Sequence, residues 1–203
     1  QDTQRASKVI LEQSKRIQAI IERLSVFSRK REFKQKPVDI NSALEESFSL
    51  LSYEPKMRNI KIIKELSVSD DHPKLLGDSH QLQEVFLNIM LNAAQAMEKG
   101  GILTIRTRTE EVAQQHGRGE MDRFQAGQEL IVIEFQDTGS GMDEETKRRI
   151  FDPFFTTKEK GTGLGLAICH RIIESHHGII EVQSELGEGS TFIVKVPIKE
   201  WVK

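Results

Sequence analysis

Apolar residues recur along this chain with two periods, and the switch between them marks its organisation. Over residues 1–32, Ile10, Ile17 and Leu24 return every seven positions, with Gln13, Ile20 and Phe27 on the same seam and no Pro or Gly between them. A stripe this narrow, flanked by Arg and Lys, predicts one long helix that seeks a partner helix or a second copy; a helix packed on its own domain shows a broader apolar face. Pro37 ends it. Beyond that point "VDI" reads as a short strand. A helix capped by Asn41 or Ser42 is expected to run to about Tyr53, with Glu45 completing a capping box on Ser42. "IKIIKEL" (60–66) is strand-like and "DDHP" is a turn. Asp78 and Gln81 open a strong helix that runs to about Met97 and stops at "KGG". Residues 102–109 and 130–137 alternate as strands. The polar stretch between them predicts a mobile hairpin excursion without chemistry of its own. A helix over 164–177 and two strands, "IIEVQSE" and "STFIVKVPI", complete the chain. The order β-α-β-α-β-β-α-β-β, with helices and strands segregated, predicts an α+β fold over 37–203, a mixed sheet covered by helices on one face.

Composition narrows the partners more than the fold. With 37% hydrophobic and 30% charged residues and a net charge of −2, the 203-residue chain offers no basic excess for nucleic acid or an anionic membrane. A lone cysteine, Cys169, fits a reduced cytoplasmic setting. No run of 18 apolar residues exists, and "QDTQRASKV" lacks signal-peptide character. A soluble chain is expected, one that a longer membrane-anchored protein could contain.

Three stretches carry chemistry. In the helix at 78–97, Leu82, Val85, Phe86, Ile89, Ala93 and Ala96 form an apolar face, and Glu84, Asn88, Asn92 and Gln95 form one polar stripe. Asn is a poorer helix former than the Lys or Glu of a merely solvated face. Amide oxygens are hard ligands suited to Mg²⁺ beside phosphate oxygens; a solvated stripe is the alternative. The second stretch, "FQDTGSGM", matches the catalytic loop of an aspartic protease, but that mechanism shares a proton between two aspartates and Asp-Thr-Gly occurs once. It also suits a purine site: a carboxylate at a strand end accepts from adenine's amine, and Gly139 and Gly141 let backbone approach the ring. A turn used only structurally is the third possibility. In "KGTGLGLAICHRI", Gly161, Gly163 and Gly165 precede an amphipathic helix and make a phosphate-binding turn, with Lys158 and Lys160 upstream. This is neither a Rossmann fingerprint nor a Walker A loop. "IFDPFFTTKEKGTG" reads as a hinged lid, or as a buried loop with Phe154 and Phe155 in the core.

"NIMLNAAQA", "DTGSGM", "FDPFFTTK" and "GTGLGL", in that order, resemble the N, G1, F and G2 boxes of two-component sensor histidine kinases. Their ATP-binding domain shares its fold with the gyrase, Hsp90 and MutL ATPases. The resemblance covers roughly residues 37–200 and implies a two-layer α/β sandwich of the Bergerat type. It further implies ATP and Mg²⁺ as cofactors. Asn92 would bind the metal, with Asn88 supporting metal and phosphates, and Asp137 would hold the adenine amine, with Gly139, Gly141 and Met142 beside the base. Ile150 and Phe151 would belong to the lid and Lys158 would be its cation. Gly161, Thr162, Gly163, Leu164, Gly165 and Leu166 would meet the phosphates, and Gln95, Ala96 and Thr191 would complete the pocket. Asn88, Lys158 and Glu84, the last as a partial base, would serve catalysis. The helix at 1–36 resembles the second helix of the dimerisation and phosphotransfer hairpin. None of the six histidines stands in the acceptor pattern, so the phosphoacceptor is expected elsewhere. The implied function is transfer of the ATP γ-phosphoryl to a histidine for relay to a response-regulator receiver domain, within a homodimer. A nucleotide-binding regulatory module without transfer is the alternative.

Overall fold

The computed structural model describes residues 34–68, 75–113, 123–158 and 161–198. The N-terminal helix expected over 1–32, the "DDHP" turn, the middle of the excursion, Lys160, His72 and His116 lie outside these.

Five strands form one mixed sheet: β2 (Ile60–Leu66), β4 (Gly101–Glu111), β5 (Glu129–Asp137), β6 (Ile179–Glu185) and β7 (Gly189–Pro197). Their order is β2-β4-β5-β7-β6, with β2 and β4 parallel and every other pair antiparallel. Three helices, α1 (Ile40–Leu51), α2 (Ser79–Ala96) and α4 (Gly165–Ser175), pack on one face. Leu44, Leu82, Phe86, Ile89 and Ile173 from the helices close a fully buried core with Leu103, Ile105, Ile133 and Val194 from the sheet. The rings of Phe86 and Phe135 stand 5.8 Å apart across this interface. The expected α+β sandwich is thus present.

The other sheet face is polar, as strand alternation requires. Arg106 pairs with Glu65 at 2.6 Å and donates to Gln136, while Arg108 joins Glu134 and Glu110. Such exposed pairs contribute little each; they keep the face wet rather than holding the fold. At one end the excursion between β4 and β5 folds back: Val112 and Phe124 bury themselves with Leu130 and Ile179 in a small second core. Its two ends are therefore anchored, which the polar sequence between them did not suggest.

Several local expectations change. Asp39, not Asn41 or Ser42, caps α1, its carboxylate accepting from the Ser42 N–H at 2.9 Å. Asn41 instead ties helix to sheet, donating to the Val68 carbonyl and accepting from the Thr107 hydroxyl. Glu45 makes no capping box; it pairs with Lys64 at 2.6 Å. The helix ends at Leu51 rather than Tyr53, and α4 spans 165–175 rather than 164–177. Asp78 does cap α2, accepting from the His80 and Gln81 N–H groups. Three short elements were not foreseen: a 3-10 turn (Pro55–Met57), β3 (Leu75–Gly77), which pairs with β1 (Lys36–Val38) in a separate two-stranded sheet, and α3 (Glu144–Arg149).

His176, buried at the end of α4, fastens β3 to the helical layer. Its Nε2 accepts from the Asp78 N–H at 2.9 Å and its Nδ1 donates to the Ile172 carbonyl at 2.8 Å, so the ring is held neutral. Burial holds its pKa below the ordinary histidine value. The unfolded chain therefore binds this proton more readily, and the stability due to His176 is present above about pH 6.5 and lost as pH falls from there towards the folded pKa. Urea unfolding at pH 7.5 and pH 5.5 is expected to show a larger drop in midpoint for the native chain than for His176→Gln. Equal drops would remove His176 as the cause.

Candidate functional site

A cavity of about 780 Å³ opens beside the polar stripe of α2. Helical spacing places Asn88, Asn92 and Gln95 on one side of α2, and all three line it. Facing them are Ile150, Phe155, Lys158, Gly161, Thr162 and Gly163, and Gly165 and Leu166 at the start of α4 complete that wall. The Lys158 ammonium reaches across and donates to the amide oxygens of Asn92, at 3.2 Å, and Gln95. The residue is exposed as a whole, yet its charged end lies in the cavity. Burial of that end, and then the charge of Lys56, holds its pKa below the ordinary lysine value. Asn88 donates to the Glu84 carbonyl at 2.9 Å, which leaves its oxygen towards Gly165; a Cβ there would stand 3.2 Å from it. Glu84 itself is not in the cavity wall.

The segment expected to form a lid begins at Ile150, buried at the cavity edge, with α3 leading into it. Phe151 stacks against His170 at 5.6 Å, and Arg149 lies 4.4 Å over the Phe155 ring. Phe154, expected as a possible core residue, is 62% exposed and has a positive φ of 69°. Its N–H donates to the Gly163 carbonyl at 2.9 Å, which clasps the start of the lid to the glycine turn. Gly163 has φ +66°, and a Cβ there would meet the Phe154 carbonyl carbon at 2.3 Å. Leu164 is fully buried beneath that turn.

The Asp137 group converges from a different side. Asp137 is 3% exposed, and its carboxylate accepts from the Gly139 N–H at 2.8 Å and from the Ser190 N–H. Burial nevertheless raises its pKa above the ordinary aspartate value. Gly139 passes so close to the end of α2 that a Cβ would stand 2.7 Å from the Ala96 Cβ, and the Ser140 N–H donates to the Ala96 carbonyl at 3.2 Å. Gly141 lies against the β6–β7 turn, and Met142 donates its N–H to the Ser184 hydroxyl at 2.9 Å while packing on the core. Asp137 and Thr191 border a second, shallower cleft of about 270 Å³ beside β6 and β7. By strand alternation Thr191 falls on the outer face beside Gln136, whereas Ser190 shares the inner face with Asp137.

The structure therefore gathers the Asn stripe, Lys158 and the glycine turn in one cavity. It places Asp137 and Gly139 at the end of α2 beside Ala96, with Gly141 and Met142 against the β6–β7 turn and Thr191 on the outer sheet face, all of them outside that cavity's wall. Sequence reasoning missed Thr146, Thr156 and Thr157, and the wall formed by Pro55, Lys56 and Asn59. The paired threonines stood within the quoted lid stretch; nothing in the pattern marked the last three.

A helix-covered mixed sheet thus carries an amide-lined cavity bordered by a glycine turn at a helix start. The chain belongs to the family described as histidine kinase-, DNA gyrase B-, and HSP90-like ATPases, whose model matches residues 77–200. Over 94% of its length it is 36% identical to Sporulation kinase C of Bacillus subtilis (strain 168) and 35% identical to the signal transduction histidine-protein kinase AtoS of Escherichia coli (strain K12). It spans 40% and 28% of the length of those two proteins. Among solved structures it is similar to the catalytic domain of histidine kinase ThkA, with a TM-score of 0.63 and 28% identity, over 83% of this chain and 97% of that one. Among the described residues, no helix is long and apolar enough to cross a membrane.

Proposed function

We propose that this chain binds Mg²⁺–ATP with its phosphates in the α2 cavity and its base towards the Asp137 group at the end of α2, and is the phosphoryl-donating half of a sensor histidine kinase. The observation that carries this reading is the Lys158 ammonium resting on the Asn92 and Gln95 oxygens inside the cavity. Those amide oxygens form a cation-attracting cluster beside a turn rich in N–H groups, the two halves of a metal–polyphosphate site. The donor set fits Mg²⁺, which takes few protein oxygens and fills its shell with water and phosphate. Asn92 would hold it, with Asn88 beside it. When bound, the metal would neutralise charge developing on the transferred phosphoryl group.

The chain's own residues do the rest. Gly161, Gly163 and Gly165 bring backbone close to the phosphates at the positive end of α4. Lys158 supplies a mobile positive charge from the lid. Asp137 accepts from the adenine amine, with Gly139, Gly141 and Met142 shaping the base side of the pocket. Phosphoryl transfer needs positioning and charge neutralisation more than covalent help, and this site offers both. Asn88 stands where a water-activating carboxylate would favour hydrolysis. Glu84, one turn behind and outside the cavity wall, positions Asn88 through its backbone carbonyl.

Among the described histidines, none of His80, His170, His176 and His177 lines the cavity, which favours an acceptor histidine carried on a separate helix of a dimer. From that histidine the phosphoryl group would pass to a response-regulator receiver domain. Incubation with radiolabelled Mg²⁺–ATP and a separate polypeptide carrying an acceptor-histidine helix is expected to label that polypeptide, with acid-labile phosphate, and not this chain. Binding of ATP without any transfer would make the chain a regulatory nucleotide-binding module.

A further inference from the structure

One charged residue of the cavity wall lies outside every glycine-rich or Asn-bearing stretch. Lys56 sits in the short turn Pro55–Met57 between α1 and β2, and it lines the cavity with Pro55 and Asn59. The turn is rigidly placed. Met57 is buried in the main core, its N–H donates to the Glu54 carbonyl at 3.0 Å, and the Asn59 carbonyl accepts from the Gly101 N–H at the start of β4. A fixed backbone thus presents a flexible ammonium to the cavity.

Among the described residues, no carboxylate lies within ion-pair distance of Lys56 or Lys158; exposed Lys34, Lys36, Lys61 and Lys99 share that lack, but only Lys56 and Lys158 line the cavity. Glu98 also lines the cavity and reaches neither of them. The two ammonium groups are close enough that the Lys56 charge disfavours the protonated form of Lys158. Two like charges turned into one cavity without a counter-ion repel each other, and an anion between them reverses the sign of that interaction. The N-terminal end of α4, at Gly165 and Leu166, borders the same space and adds the positive end of a helix dipole.

Resting on the nucleotide reading above, we infer that Lys56 is a second phosphate-contacting residue of this cavity. The anionic tail of the nucleotide is then held between Lys56 and Lys158, from two segments far apart in sequence. Lys56 adds affinity in proportion to the charge on the tail and has no contact with the base. It therefore sets the preference for nucleoside triphosphate over nucleoside monophosphate.

Calorimetry on the whole chain, at low ionic strength and with Mg²⁺, compares ATP and AMP for the native protein, Lys56→Gln and Lys56→Arg. Lys56→Gln is expected to weaken ATP by about tenfold, the size of one charge-assisted hydrogen bond, and to leave AMP unchanged. Lys56→Arg, which keeps the charge, should hold ATP within about threefold of native. Unchanged ATP affinity in Lys56→Gln, or equal weakening of ATP and AMP, overturns the inference while leaving the nucleotide reading intact. A native chain that binds no ATP at all overturns both.

Discussion

Asp137→Asn is expected to weaken ATP binding by about 100-fold while the protein stays folded, because one buried acceptor becomes a donor with no change of shape. The native carboxylate accepts from two backbone N–H groups, Gly139 and Ser190, and Asn can keep one oxygen for them. What it cannot keep is a second acceptor. An adenine amine arriving there meets another N–H₂ group, and two donors facing each other in a nearly dry site repel. Inosine triphosphate carries an oxygen in place of that amine, so the variant should lose its preference for ATP over the inosine nucleotide. Calorimetry with both ligands reads this directly. An unchanged ATP affinity would remove Asp137 from the base site and move the purine wholly into the α2 cavity. The carboxyl group's raised pKa adds a pH signature: the acceptor is lost on acidification sooner than an exposed aspartate would lose it.

The second large effect is on folding. At Gly141 a Cβ would lie 1.9 Å from the Glu185 carbonyl oxygen, and φ is +65°. Backbone cannot be pushed aside as a flexible side chain can. The same β5–α3 turn is stitched to the β6–β7 turn by the Gly187 N–H donating to the Ser140 carbonyl at 2.7 Å. Gly141→Ala should therefore cost about 3 kcal/mol or more, lowering the thermal midpoint by roughly 10 °C. Gly187 is the control, with φ +89° and open space for 4 Å around the point a Cβ would occupy. There only the left-handed strain remains, about 1–2 kcal/mol. Equal midpoints for the two alanine variants would show that the turns part without resistance.

The elements that could be read from the chain were those whose burial repeats long enough to show a period. α2 exposes one polar stripe and buries Leu82, Val85, Phe86 and Ile89, so its face and its chemistry were both legible. The strands at β4, β5 and β7 are legible because one face packs on helices while the other carries charged residues such as Arg106, Arg108, Glu134 and Lys195 among a few buried apolar ones. α3 was missed for the converse reason: six residues, none of them buried, carry no apolar period. β3 was missed because three residues are too few to show a period, and its partner β1 lies far back in the chain, before α1 and β2. The α1 cap was placed late because Asp39 was read as part of a strand, and a single Asx side chain decides the helix start.

The site divides in the same way. Asn88, Asn92, Lys158 and the glycines were found because each belongs to a local pattern. Lys56 and Asn59 reach the cavity only because β2 pairs in parallel with β4, which sets the turn before it against the end of α2. No local pattern encodes that. Thr191 and Ser190 differ by one residue, and only the register of β7 on β5 says which of them shares a face with Asp137.

The hydrogen bond from Phe154 to Gly163 has a consequence for how such a domain can diversify. It closes the lid segment into a ring whose two ends, one strained Phe and one glycine that tolerates no Cβ, are tied to the phosphate turn. Closing a loop of twice the length costs only about 0.6 kcal/mol more. Insertions inside the ring are therefore cheap, whereas change at either end disturbs both. Related chains should differ in the length and composition of the segment between these two positions while keeping its junctions, so that partner preference can be rewritten there without rebuilding the nucleotide site.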